Sequence, residues 1–507
     1  MAEVWRPDPG VAEARPRYRA IAEALAGDIA AGRLTPGTRL PTHRELAETL
    51  GVTVGTVTRA YAEAERRGLV AATVGRGTFV ASHPAPLAMP APEGAASEKD
   101  VAAGDAANGL EFVFASDSGA AKPEAAAAAL AAGDPGRQGP GVIDLSANYP
   151  VDILLGPALA PALETLSDPA RLAAVGAYQA TPGAPAHRAA GAAWLARVGL
   201  SVTTEDVVVT AGCQHGLAVT LGALLSPGAG APLLVESLAW PGLIALARQQ
   251  GYRLVPVAMD AEGLVPEALA EAAQRHGARV AYCMPTLHNP TATTMSRTRR
   301  AALLEVAAAQ GLTLVEDDIY GFLRPDAPPP LAALDPQRAV YVTSLSKSVA
   351  PGLRIGYVAA PRHLIPGIAA AVRATSIMAS PLTAELATRL IADGHAAVAA
   401  EHQRAAARHR QGLVRAQLPS AAVSTAPDSF HLWLSLPSGW SGGAFTRAAL
   451  AQGVGVTPGD AFTADGQDPG GVRLCLCAVA DPARLEIGLA SVAGLLAEGP
   501  ARSLPVV

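Results

Sequence analysis

Lys347 stands in Ser344-Leu345-Ser346-Lys347-Ser348-Val349-Ala350-Pro351-Gly352-Leu353-Arg354, between small hydroxyl residues and upstream of an arginine. A lysine can shed its proton and attack a carbonyl carbon, which arginine cannot do near neutrality. The contrast is sharp in this chain. Of its 39 basic residues only three are lysines, Lys99, Lys122 and Lys347, so arginine does almost all the ordinary charge work. Ser344, Ser346 and Arg354 are suited to a phosphate, with Arg354 supplying a rigid fork of donors. The string therefore places an aldehyde-capturing amine beside phosphate ligands.

A second cluster complements the first. Glu316-Asp317-Asp318-Ile319-Tyr320 closes an apolar strand, and His288-Asn289-Pro290-Thr291 follows another. Pyridoxal 5'-phosphate (PLP) needs a buried carboxylate to keep its ring nitrogen protonated, and donors for its phenolic oxygen. Asp317 could serve the nitrogen, and Tyr320 and Asn289 the oxygen. Thr210-Ala211-Gly212-Cys213-Gln214-His215-Gly216 reads as a strand-to-helix turn whose backbone N–H groups would meet a phosphate. Asp318 reads as a helix-start or surface acid, and His215 and His288 as local hydrogen-bonding residues.

The elements that must carry these groups follow from composition and periodicity. A chain of 507 residues, half of them hydrophobic and only 4% aromatic, implies two or three domains with cores built from Ala, Leu and Val. Net charge is −5, so any contact with nucleic acid must come from a local patch. Cys213, Cys283, Cys475 and Cys477 contain no C-x-x-C pair and read as reduced packing thiols, with Cys475 and Cys477 at alternate positions of a strand. No metal site is expected. With no apolar signal core at the N-terminus and no membrane-length apolar run, the cytoplasm is the expected compartment.

Residues 1–80 read as a first domain, 81–141 as an Ala/Pro/Gly-rich linker, and 142–507 as a large domain. In the large domain, strand-like runs at Val207–Thr210, Pro232–Glu236, Arg253–Val257, Arg279–Met284, Thr313–Asp317 and Ala339–Ser344 alternate with Ala-rich helical stretches, which predicts an α/β fold with a largely parallel sheet. The first domain predicts a helix from Tyr18 through Ile29. A second begins at Thr42, which forms a capping-box pattern with Glu45 and ends at Gly51. A third is capped by Thr53 and runs to about Arg67, and a hairpin around Gly75-Arg76-Gly77 follows. Three helices and a hairpin describe a winged helix-turn-helix that reads DNA. Arg44, Thr53, Thr56, Thr58, Arg59 and Arg76 are the candidate DNA contacts, with Arg66 and Arg67 extending the basic side. The competing reading is a protein-binding helical module with solvated arginines.

Leu40-Pro41-Thr42-His43-Arg44-Glu45-Leu46-Ala47, Gly51 through Tyr61, and Gly75-Arg76-Gly77-Thr78-Phe79-Val80 resemble the GntR family of bacterial regulators, with His43 replacing a small residue. Residues 142–498 resemble the fold-type I aminotransferases. That resemblance implies PLP as cofactor, Lys347 as the internal aldimine lysine, Asp317 as the pyridinium partner, and Tyr320 and Asn289 on the phenolic oxygen. It further implies that Gly212, Cys213 and Gln214 form the phosphate turn, and that Trp240 stacks on the ring. Arg473 grips a ligand carboxylate, with Asn148 as a second effector contact, and Tyr178 is lent across a dimer to the partner's phosphate. Trp240 could instead be a core aromatic, and Arg473 could pair with a structural carboxylate. Cys213 and Ala292 depart from the small residue and the glycine usual at their positions.

The combination resembles the MocR family. It implies a PLP-bound homodimer that binds operator DNA and senses an amine, an amino acid or PLP itself through aldimine chemistry at Lys347. The alternative is a functional aminotransferase, because a sensor and an enzyme would share the same groups.

Overall fold

The computed structural model describes residues 5, 7, 17–31, 33–66, 69–73, 77–80, 142–151, 156–418 and 422–500. The chain divides into two compact units, residues 1–111 and 112–507. The expected linker at 81–141 and Arg76 lie outside the described residues.

In the first unit, α1 (Arg17–Ala30), α2 (His43–Leu50) and α3 (Val54–Arg66) precede the antiparallel strands β1 (Val70–Thr73) and β2 (Gly77–Val80). Ile21, Leu25, Leu46, Val57, Tyr61, Val70 and Val80 form its core. The apolar residues recur at helical spacing, so each helix buries one face. Tyr61 reaches across that core to donate to the Pro41 carbonyl at 2.9 Å. The capping box at Thr42 is complete: the Glu45 amide donates to Thr42 Oγ1 at 3.3 Å, and the Thr42 amide to Glu45 Oε2 at 2.8 Å. Gly51 ends α2 with φ of 63°, a left-handed conformation that favours glycine. Thr42→Ala is expected to cost about 1 kcal/mol of local stability, read as lost hydrogen-exchange protection of the α2 amides.

The second unit is built on a seven-stranded sheet in the order Val207–Thr210, Gly356–Ala359, Ala339–Ser344, Thr313–Asp317, Val280–Cys283, Pro232–Glu236, Arg253–Val257. Its inner strands are buried because helices cover both faces, giving one buried cluster on each side, while the edge strand Arg253–Val257 is partly exposed. The sheet is parallel except for Gly356–Ala359, which is antiparallel to both neighbours and was not foreseen. The segment joining it to Ala339–Ser344 is too short for a parallel crossover, and the Leu345 amide closes it by donating to the Ile355 carbonyl at 3.0 Å. That tight return carries both Lys347 and Arg354. The parallel strands end at Thr210, Glu236, Cys283, Asp317 and Ser344, and these carboxyl ends with the loops beyond them carry Gly212, Trp240, Asn289, Asp317, Tyr320 and Lys347, as expected for an open α/β sheet.

A smaller antiparallel sheet, Val423–Ser424, His431–Ser435, Gly471–Cys475 and Thr457–Pro458, packs with the helix Pro482–Glu498 around its own core. The strand Ile143–Asp144 pairs in parallel with Val454–Gly455, far along the sequence, and leads to Asn148, which reaches Tyr320. Cys475 ends its strand and Cys477 lies beyond it, which corrects the expected alternation; both are buried. No helix among the described residues is long and apolar enough to cross a membrane.

Candidate functional site

Lys347 is part-buried, and its ammonium donates to the Asn148 backbone carbonyl. Burial lowers its pKa to about 8, opposed by the nearby Cys475 thiol and aided by Arg473 and Arg354. The amine is thus available in neutral form far nearer to physiological pH than an ordinary lysine.

The phosphate end assembles from three segments. Arg354 sits in a left-handed conformation (φ 50°), its guanidinium 3.5 Å from Ser346 Oγ and 3.3 Å from the Ala211 carbonyl. Gly212 (φ 95°) caps the helix Cys213–Leu224, and a Cβ there would fall 2.7 Å from Arg354 Nη2. Only glycine leaves this cradle open at the helix N-terminus. Ser344 is buried and donates to Ser346 Oγ at 3.1 Å, so it supports Ser346 from behind. Gln214 is exposed in the first turn of the helix. Gly212→Ala is expected to weaken PLP phosphate binding at least tenfold, measured by equilibrium dialysis, because the added methyl displaces Arg354.

At the other end, Asp317 is buried, accepting from the Cys213 thiol at 3.2 Å and the Tyr282 hydroxyl at 2.9 Å. Burial raises its carboxyl to about 6, while those two hydrogen bonds hold it lower than burial alone would. A carboxylate buried among neutral donors suits a protonated ring nitrogen. Asn289 Oδ1 accepts from Arg473 Nη1 at 3.1 Å, which leaves its amide nitrogen turned away from the arginine. The Tyr320 hydroxyl, also buried, accepts from Asn148 Nδ2 at 2.7 Å. A capturing amine, an open phosphate cradle, a buried carboxylate and two phenol-oxygen donors together fit PLP. Lys347, Ser346, Arg354, Gly212, Asp317, Tyr320 and Asn289 would hold it.

Arg473 is buried, and among the described residues its guanidinium meets no carboxylate. It donates to Asn289, to the Ser146 carbonyl at 2.5 Å and to Thr457 Oγ1 at 3.1 Å, with Phe462 beneath it. Trp240 is half-buried before the helix Pro241–Gln250 and packs against the cluster that contains Tyr320. Tyr178 is 81% exposed, a large aromatic left uncovered within one chain.

Asp318 requires a correction. It is neither a helix-start nor a surface acid but is buried, accepting from the Tyr341 hydroxyl at 2.9 Å, because Tyr341 lies on the adjoining strand. His215 and His288 do make local hydrogen bonds, to the Ala211 amide and Thr375, and to Thr291 and the Leu238 carbonyl. Ala292 keeps a glycine-like φ of 58° and so carries about 1–2 kcal/mol of strain in the turn after Asn289. Sequence reasoning missed Tyr282 and His431. A tyrosine facing the strand that ends in Asp317 was a weak signal, and a lone histidine in an apolar strand was a weaker one.

In the first unit, Arg44, Thr53, Thr58 and Arg59 are exposed and Thr56 is half-buried. Thr53 caps α3, its hydroxyl accepting from the Thr56 amide at 3.3 Å and lying 2.9 Å from Thr56 Oγ1. Thr58 bonds the Val54 carbonyl and lies 3.3 Å from His43 Nδ1, so His43 ties α2 to α3. Arg59 lies over the Tyr18 ring at 5.7 Å. Arg67 and the side chain of Arg66 lie outside the described residues.

The family described as aminotransferase class I and II matches residues 141–492. The chain belongs to that family. Residues 17–80 match the gntR family of bacterial regulatory proteins, so this aminotransferase-family chain is a GntR–aminotransferase fusion of the MocR type. It is 29% identical over 493 residues to the uncharacterized HTH-type transcriptional regulator YdeF of Bacillus subtilis, covering 97% of this chain and 96% of that one. It is 28% identical to the 2-aminoadipate transaminase of Thermus thermophilus over 59% of this chain and 76% of the enzyme. Among solved structures, an archaeal alanine:glyoxylate aminotransferase superposes with a TM-score of 0.67 at 25% identity, covering 74% of this chain and 95% of that one. LysN, the α-aminoadipate aminotransferase of Thermus thermophilus, complexed with N-(5'-phosphopyridoxyl)-L-leucine, superposes at 0.63 with 26% identity, covering 74% and 98%.

Proposed function

We propose that this chain is a PLP-binding transcription regulator that senses an amine, an amino acid or PLP itself at Lys347 and acts on operator DNA as a cytoplasmic homodimer. The observation that carries the reading is the grouping of Lys347 with the Gly212–Arg354 cradle at one end and buried Asp317 at the other, in a chain that also folds a GntR-type winged helix. When bound, PLP supplies an aldehyde carbon that exchanges between amines. Lys347 would hold the cofactor through its amine, and Arg473 would bind an anionic group on the ligand. A ligand that favours one of two arrangements of the DNA heads shifts operator affinity by its differential affinity for the two. The exposed Tyr178 fits a residue completed by a second copy.

The test is an operator titration at fixed salt with and without PLP and a panel of amines; unchanged affinity throughout would sink the sensing role. Arg59→Ala is expected to weaken operator binding by about 1–3 kcal/mol if Arg59 leaves Tyr18 for a base edge, and an unchanged affinity places it off the interface. The complete donor set around Lys347 also favours a second reading, a working aminotransferase. Multiple turnovers of an amino acid with an added keto acid would establish it.

A further inference from the structure

A chain of three side chains, from segments far apart in sequence, ends on the hydroxyl that faces the proposed cofactor. His431 is fully buried, and its Nε2 lies 2.9 Å from the His288 backbone carbonyl. A carbonyl can only accept, so Nε2 carries the ring proton and Nδ1 of the neutral ring is an acceptor. The group facing Nδ1, at 3.2 Å, must therefore be a donor, and it is Asn148 Nδ2. The same nitrogen lies 2.7 Å from the Tyr320 oxygen. With the amide held this way round, both its N–H groups are used and its buried Oδ1 has no partner among the described residues. Turned over, the amide would set its oxygen against Nδ1 and take both N–H groups from their acceptors. The tyrosine oxygen thus accepts from Asn148, and its own proton is left to donate elsewhere.

We infer that His431, acting through Asn148, is a positioning residue that orients the Tyr320 hydroxyl as a donor toward the phenolic oxygen of the cofactor. The inference rests on the PLP reading of the site and deepens it. The polar neighbours of the pair are Arg473, Lys347, Asp317, Cys213, Cys475 and His288, so the orientation works within a field that these groups set. Donation by Tyr320 stabilises the ionised phenol, which makes the pH-dependent colour of the bound cofactor a direct reporter.

The experiment titrates the PLP-loaded full-length protein with pH and follows its visible absorbance. His431→Leu removes the acceptor, frees the amide to turn, and lets Tyr320 donate to Asn148 Oδ1. The midpoint is expected to rise by about one pH unit, a tenfold weaker stabilisation. His431→Asn keeps an acceptor for the amide and is expected to hold the native midpoint. In a Tyr320→Phe background His431→Leu is expected to add no further shift, which a general loosening of the fold would not reproduce. An unchanged midpoint in His431→Leu, or an equal shift with and without the tyrosine hydroxyl, overturns the inference. Should His431→Leu not fold, Asn148→Asp replaces it, because its oxygens can only accept. The part of its shift that vanishes with Tyr320→Phe then reads the same coupling, and no such part overturns the inference. Native protein that stays colourless with PLP overturns the cofactor reading, and this inference with it, whereas coloured protein with an unmoved variant overturns the inference alone.

Discussion

Lys347→Ala is expected to yield a protein from which borohydride reduction recovers no pyridoxyl-labelled peptide, where the native chain is labelled at Lys347. The loss is complete rather than partial because nothing else in the site can replace the amine. The other lysines, Lys99 and Lys122, fall in the 81–141 segment of the sequence, and the arginines around the cradle stay protonated. Burial sets the pH dependence. With its pKa lowered to about 8, Lys347 gains neutral amine as pH rises through that value and loses it below. The rate of label incorporation should therefore climb from pH 7 and level off above about 9, whereas an ordinary lysine would still be climbing. Peptide mass spectrometry after reduction is the measurement. Equal labelling of the alanine variant would place the attachment elsewhere, and a rate still rising beyond pH 10 would show an unperturbed amine. The winged helix should remain folded in the variant, checked by the α2 exchange protection.

Arg300→Met is expected to lower the stability of the large unit by about 3–5 kcal/mol, because it strips a buried charge of its partner. Arg300 and Glu316 are both fully buried, 3.4 Å apart. The guanidinium also donates to the carbonyls of Pro285, Met295 and Pro329 and to Thr286 Oγ1, at 3.0, 3.3, 3.3 and 2.8 Å. Methionine fills much of the volume but leaves those acceptors and a buried carboxyl unsatisfied. Burial already pushes the Glu316 carboxyl upward against the pull of Arg300, so without the arginine it takes a proton and recovers part of the loss. Arg300→Met with Glu316→Gln should accordingly be more stable than Arg300→Met alone. Urea unfolding followed by tryptophan fluorescence measures both. The pair binds the loop leading to Asn289 to the strand that ends in Asp317, so PLP affinity should fall together with stability. A change below about 1 kcal/mol would show that this buried network carries little of the fold.

Local patterns made much of the architecture legible. Five of the named strand runs have the bounds foreseen for them, and Val280–Cys283 is one residue shorter at each end than expected. Strands buried on both faces leave an uninterrupted apolar signal, and Thr42, Glu45 and Gly51 mark α2 by chemistry confined to a few neighbouring residues. The reversed strand Gly356–Ala359 was missed because its direction depends on the length of a turn that itself carries functional residues. Asp318 was misplaced because the sequence of a strand end does not reveal which hydroxyl the next strand presents to it.

By itself the sequence determined six strands of the large sheet, the helices of the first unit and which reactive groups the chain owns, since periodicity, caps and the Lys347 string act over neighbouring residues. The tertiary structure alone decided who meets whom: Cys213 and Tyr282 on Asp317, Arg300 on Glu316, and His431 through Asn148 on Tyr320. A hydrogen bond is selected by distance and direction in space, and strand order and crossovers set both across separations at which no local pattern survives.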